Sequence, residues 1–283
     1  MKKILVIVTL ISLVGIIYAQ KIKLDVSAEY ATVDMKDMNK ELEDAKSQLD
    51  DYVEFVKNMG GTASSSLTKF SNGVFVSLGL GYEVIPNLSI GPKIGYLNCF
   101  PAEVSAEGSI LLFEVPQSFK LKYIGKTYLI LPMIGGLYSF PISDKLTFSG
   151  GLYLGYALAS FIINTEAEGI EEGTSQKYEV PYEGEGFTTN ISLGINYTIS
   201  ENVGIGFNFG YRIAKIDELK ATKDVEEAEV KKGDILKDEE DKVIPADYSG
   251  INAGLKVYFK FWYQLNFLSS SKYFSYPVLP NNA

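Results

Sequence analysis

The chain has no histidine and a single cysteine, Cys99. Without histidine there is no Ser-His or Cys-His nucleophile, no imidazole acid–base pair and little zinc chemistry. With one cysteine there is neither an internal disulfide nor a multi-cysteine metal site. Basic residues are also scarce, 26 against 35 acidic; without Lys2 and Lys3 they fall to 24, a net charge of −11. That balance argues against nucleic acid or any other polyanion as a partner. Beyond residue 18 no apolar run approaches the ~20 residues that a spanning helix needs, so this is not a helical membrane protein. No catalytic, metal or cofactor site is expected.

One apolar run is present, at the start. Lys2 and Lys3, the uncharged stretch from Ile4 to Tyr18, then Ala19 and Gln20 are the parts of a secretory signal peptide, residues 1–19. An N-terminal anchor would need a longer run. The rest is rich in Tyr (19) and Phe (16), which leans toward β structure.

Strict alternation supports that. Val203, Ile205, Phe207, Phe209, Tyr211 and Ile213 share one face of 203–213, with Gly204, Gly206, Asn208, Gly210 and Arg212 on the other. Segments 187–199 and 251–261 repeat the pattern. A period of two marks strands buried on one side. A soluble sandwich would put its large residues inside and charges outside. Here the second face is small and polar, as in a narrow barrel with its bulky residues turned to lipid. Eight such segments are expected: 21–33, 72–84, 87–98, 123–140, 145–164, 186–199, 203–215 and 248–261. Short turns fall at 85–87, 141–144 and 200–202, long connections at 34–71, 99–122, 165–185 and 216–247. Outer-membrane barrels sort short turns to one side and long loops to the other.

Aromatic residues fall at two heights. Tyr82, Tyr138, Phe140, Phe148, Tyr197, Phe259 and Phe261 lie near the short turns, and Tyr30, Tyr96, Tyr156, Phe187 and Tyr211 toward the long loops. A gap of eight to ten residues between the two kinds on one strand rises roughly 23 Å, which matches an apolar band ~25 Å tall. Residues 128–140 are apolar on both faces and leave open which one meets lipid. Residues 109–122 either extend neighbouring strands or form a hairpin of their own.

Elements such as NGVFVSLGLGYEVIPNLSIGPKIGY, SGGLYLGYALAS and NVGIGFNFGYRIAKID resemble the porin-like, OmpA/OmpX-type barrels of bacterial outer membranes. Asn252-x-Gly254-x-x-Val257-x-Phe259 resembles their assembly signal. The resemblance implies an all-β fold, a closed antiparallel eight-stranded transmembrane barrel over 20–261, seated in outer-membrane lipid after recognition by the barrel-assembly machinery. Residues 262–283 follow the signal as a C-terminal extension, where the family's signal is usually last. No peptidoglycan-binding domain of the OmpA type is expected, which weighs against a wall-tethering role.

Within the first long connection, Met38, Leu42, Ala45, Leu49, Tyr52 and Val56 make an amphipathic stripe over 37–59, stopped by Gly60-Gly61. A helix covering the barrel mouth is preferred over a docking face for a surface partner. The acidic 216–247 connection, with Glu226, Glu227, Glu229, Asp238, Glu239, Glu240 and Asp241, reads as a solvated loop rather than a calcium site. The sequons at Asn190 and Asn196 lie within expected strands and are disregarded. Lys23, Asp25, Glu29, Lys93, Arg212, Lys256 and Lys260 are expected to face the lumen. Heights counted along the strands put Asp25, Lys93 and Lys256 in one layer and Glu29 with Arg212 in a second, with Lys256–Asp25 and Arg212–Glu29 ion pairs closing the pore. The functional expectation is a non-enzymatic structural or surface-interaction protein. A narrow solute channel, favoured by lumen glycines Gly79, Gly91, Gly155, Gly194 and Gly206, is the alternative, and an envelope-lipid enzyme a weaker third.

Overall fold

The computed structural model describes residues 21–112, 115–169 and 175–262. The expected signal peptide and the chain beyond Trp262 lie outside them. Eight strands make the barrel wall: β1 (Lys21–Thr32), β3 (Asn72–Ile85), β4 (Leu88–Cys99), β6 (Val115–Pro141), β7 (Leu146–Glu168), β8 (Ser175–Ser200), β9 (Val203–Ile216) and β12 (Gly250–Trp262), while the two-residue strands β10 (Lys220–Ala221) and β11 (Ala246–Asp247) pair with β8 and β9 in the last connection. Each wall strand pairs antiparallel with the next in that order, and β12 returns to pair with β1. The sheet thus closes on itself and leaves no edge in the wall.

The register fixes the barrel's shape. Thr198 on β8 lies opposite Gly204, and the row continues through Tyr258, Asp25, Gly79, Lys93, Met133 and Gly155 back to Thr188 on β8. One circuit therefore climbs from residue 198 to residue 188 of the same strand. A stagger of this size over eight strands corresponds to a tilt of about 40°. Every row of lumen side chains is a rising spiral rather than a level ring.

Outside, an exposed belt runs round the wall, including Val26, Leu78, Ile94, Leu154, Leu193, Ile205, Phe207 and Leu255. A continuous apolar surface of this kind is stable only against lipid. Tyr96 with Tyr128 (ring centroids 6.0 Å apart) and Tyr156 with Phe187 (4.9 Å) rim it toward the long loops. Tyr138, Phe140 and Phe148 rim it at the short turns. Tyr82, expected in that lower rim, is instead buried, flanked in register by Ile22 and Ile90. The short turns are tight; Asn87 takes the left-handed conformation (φ 69°) that asparagine tolerates. No helix among the described residues is long and apolar enough to cross a membrane.

The open alternatives at the long-loop end resolve into sheet. A spanning strand needs ~9–11 residues, and β6, β7 and β8 have 27, 23 and 26. Their excess stands beyond the belt and carries two more strands, β5 (Ala102–Leu112) and β2 (Thr62–Thr68), paired in the order β2-β5-β6. Residues 109–112 pair with 115–118 in hairpin register, and 115–122 extend β6 beyond the belt. The outward faces switch from apolar to charged: Lys122 meets Glu103 at 2.9 Å and lies opposite Glu166, which pairs with Lys177.

Helix α1 (Lys36–Asn58) packs on the inner face of β2 and β5. Met38, Leu49, Val53 and Val56 are buried, the last three against Val104, Ala106, Ile110 and Phe119. Val53 completes the stripe read from the sequence. Gly60 turns the chain with φ 82°, and Gly61 N–H bonds to the Val56 carbonyl at 3.0 Å. Lys46 and then Ser65 donate to Asp50, which holds its carboxyl below the ordinary carboxylate range and ties the helix to β2.

Candidate functional site

The seven charged residues expected in the lumen do face it, but they pair differently. Lys256 lies opposite Ser27, so Tyr258 rather than Lys256 sits beside Asp25. Asp25 takes Lys23 instead, at 3.5 Å. Lys23 and Lys260 both lie over the Tyr258 ring, 4.8 and 5.3 Å from its centroid. That ring covers Gly204, where a Cβ would fall 2.1 Å from it, and its hydroxyl meets the Thr198 hydroxyl at 2.9 Å.

The expected Arg212–Glu29 pair does not form. Arg212 lies opposite Gly250, whereas Glu29 lies opposite Gly254, four residues nearer the short turns. The stagger separates them by roughly 13 Å along the wall. Arg212 is fully buried; its Nε and Nη2 donate to the Tyr248 carbonyl at 2.9 and 2.8 Å, and Nη2 to the Thr32 carbonyl at 3.0 Å. Its guanidinium lies 5.6 Å from the Phe75 ring centroid. Glu29 is held by amides rather than by a cation: Asn208 donates at 3.2 Å and Asn252 donates to the other oxygen. Asn208, Gly254 and Glu29 share one row, and the missing Cβ of Gly254 lets Asn208 reach across. A Cβ there would also fall 2.2 Å from the Ala28 carbonyl oxygen. Of the proposed assembly residues, Asn252 and Gly254 thus serve the lumen, while Val257 faces outward with Phe259.

The lumen is not an empty polar tube. Phe75, Leu97, Leu129, Leu131 and Met133 are buried inside it, and Ala157, Ala159 and Phe161 continue the apolar filling above. The last long connection, expected as a solvated loop, inserts Leu219, Val225 and Ile244 into the mouth, and Tyr248, expected to begin the last strand, joins them. Its carboxylates face out; Lys237 meets Asp241 at 2.7 Å, and Gln48 of the helix donates to Glu239 at 2.6 Å. Tyr248 Oη and Thr127 Oγ1 are 2.5 Å apart. At Gly91, Gly155, Gly194 and Gly206 a Cβ would meet a neighbour within 3 Å. Gly79 alone of that set has ordinary room.

Two spaces remain. At the short-turn end, a vestibule of about 600 Å³ is lined by Lys21, Lys23, Glu83, Asn196, Tyr258 and Lys260, among others. At mid-lumen a void of about 20 Å³ touches Asp25, Ser27, Ser77, Lys93, Ser192 and Lys256. The layer expected for Asp25, Lys93 and Lys256 is therefore a shared void rather than an ion-pair cluster. Sequence reasoning missed Phe75, Tyr248 and Asn208 as parts of the site. Phe75 and Asn208 carried the parity signal, and Tyr248, at the head of the expected last strand, shared the parity of Asn252. Among the described residues no three His, Cys, Asp or Glu side chains group to hold a metal.

No protein-family model matches the chain, and no characterised protein matches it in sequence. Solved structures similar to it include the outer membrane protein OprG of Pseudomonas aeruginosa, at 12% identity and TM-score 0.34, covering 85% of this chain and 96% of that one. Ail, the attachment invasion locus protein of Yersinia pestis, is similar at 12% identity and TM-score 0.32, with 86% and 99% covered. The outer membrane protease OmpT of Escherichia coli is similar at 9% identity and TM-score 0.32, with 87% and 98% covered. These likenesses concern barrel architecture and carry nothing about activity. By its own strand pairing, belt and girdles, the chain has the form of an eight-stranded outer-membrane-type barrel.

Proposed function

We propose that this is an integral outer-membrane barrel that does not conduct and whose role lies in its extension beyond the long-loop rim, as a structural or surface-interaction element without enzymatic activity. The observation that carries this reading is the sealed mouth. Above the mid-lumen void, Phe75, Leu97, Leu129, Leu131 and Met133 fill the barrel, and Arg212 and Tyr248 lie over them. An eight-stranded barrel is just wide enough for side chains to fill it, and here apolar ones do. The strands are long where they leave the membrane, which suits display rather than transport. The vestibule then opens to the periplasm, the assembly machinery is a partner during insertion, and the surface partner meets α1 and the β2-β5-β6 sheet from outside.

Planar-bilayer recording of the purified full chain tests this. No stepwise conductance is expected above the bare membrane. Regular, protein-dependent steps would overturn it in favour of the narrow solute channel.

A further inference from the structure

Lys93 and Lys256 approach the mid-lumen void from opposite walls, β4 and β12, and both are buried, at 8% and 4% exposure. Among the described residues neither has a carboxylate within ion-pair distance. Asp25, on the row of Lys93, also lines the void but pairs with Lys23 at 3.5 Å, and Glu29, one inward row above Lys256, is held by Asn208 and Asn252. Lys93 lies 4.9 Å from the Tyr153 ring centroid, which offers a cation a quadrupole but no countercharge. Two ammonium groups sequestered from water without a counterion are costly. The barrel closes around them nonetheless.

We propose that the void binds one small monovalent anion, a halide, between Lys93 and Lys256. The volume supports that class. About 20 Å³ is room for one small body, which favours a monatomic anion over phosphate, sulfate or carboxylates. The remaining lining supplies donors. Ser27 and Ser77 hydroxyls are 2.7 Å apart; one donates to the other, and the second proton is left to point at an anion. Ser192 adds another hydroxyl. Gly79 leaves the space open on the β3 side, where a Cβ would stand 3.8 Å from both Asp25 and Lys93 side-chain carbons. The anion is a structural counterion, held where the polar and apolar walls meet, and the site is independent of whether the barrel conducts.

The test uses the full chain folded in detergent, with the temperature midpoint of unfolding read from the shift between folded and unfolded gel mobility. At equal ionic strength, sodium chloride and sodium bromide should raise that midpoint saturably by about 5 °C over sodium gluconate. Lys256→Met should abolish the difference between the salts. Because that variant can fail to fold, bromide-soaked crystals of the unaltered chain give a second reading, with an anomalous peak expected between the two ammonium groups. Equal midpoints in chloride and gluconate, or bromide peaks confined to the surface, would overturn the proposal.

Discussion

The lumen has two unlike walls. On β8, β9, β12 and β1 the inward residues are Asn196, Asn208, Arg212, Asn252, Lys256 and Glu29, bridged across glycines. Toward the long-loop end of β4, β6 and β7 they are mainly Leu97, Leu129, Leu131, Met133, Ala157 and Ala159, with Lys93 and Ser149 lower on β4 and β7. Both walls belong to the same spiral rows; the row that starts at Gly194 and Asn208 passes Glu29 and Phe75 and ends at Leu97 and Leu129. Because each row climbs, the apolar wall lies toward the long-loop end and becomes the seal. Polar residues can satisfy one another across a narrow gap, while apolar ones exclude water outright. A barrel with this division is stapled at one side and plugged at the other.

The largest effect should come from breaking the plug. Phe75→Ala removes a fully buried ring from the junction of the two walls and should cost about 3–5 kcal/mol, measured by denaturant unfolding in detergent. It should also admit ions, and a bilayer that stays silent with this variant would assign the seal to the rest of the plug, Leu97, Leu129, Leu131, Met133 and Tyr248.

The stapled wall should break in smaller and separate pieces. Arg212→Ala leaves the Thr32 and Tyr248 carbonyls without their donor, and Glu29→Ala strands the Asn208 and Asn252 amides. Each should cost about 2–3 kcal/mol. Because the two residues hold different partners, the double variant should equal the sum to within about 0.5 kcal/mol. A coupling well beyond that, from a full double-mutant cycle, would show that the two clusters act as one network. The smallest effect belongs to the vestibule: Tyr258→Phe keeps the ring over Gly204 and loses only the Thr198 contact, about 1 kcal/mol, on the same unfolding assay.

The eight wall strands were legible because each has lipid on one side, so period two survives along its whole spanning length. Segment 128–140 was ambiguous for a reason now visible. Ile130, Ile134 and Tyr138 face out, and Leu129, Leu131, Met133 and Leu137 build the apolar wall, so both faces of β6 are greasy by design. The charged residues were placed on the correct face, since parity decides that, but not with their partners, since partners depend on stagger. Counting heights from the turns ignores a climb of ten residues per circuit, which parts Arg212 from Glu29. Strands β2 and β5 were hidden for another reason. Their outer faces carry Ser, Thr and Glu, such as Ser66 against Ser105 at 2.8 Å, and read as loop. Leu219, Val225 and Ile244 were likewise masked by the surrounding charge.

The continuation of β6, β7 and β8 past the membrane rim has a mechanical consequence. Each strand passes from lipid to water within a single hydrogen-bonded ladder, with paired residues from Phe140 opposite Phe148 up to Lys120 opposite Glu168. No hinge separates the anchored part from the displayed part. The extension reaches on the order of 30 Å beyond the belt, taking the strand rise and tilt together. Force or torque applied to α1 or β2 is therefore carried as shear along the ladder into the bilayer. A binder that lands there meets a face whose distance and angle to the cell surface are set in advance, like a bracket bolted to a wall.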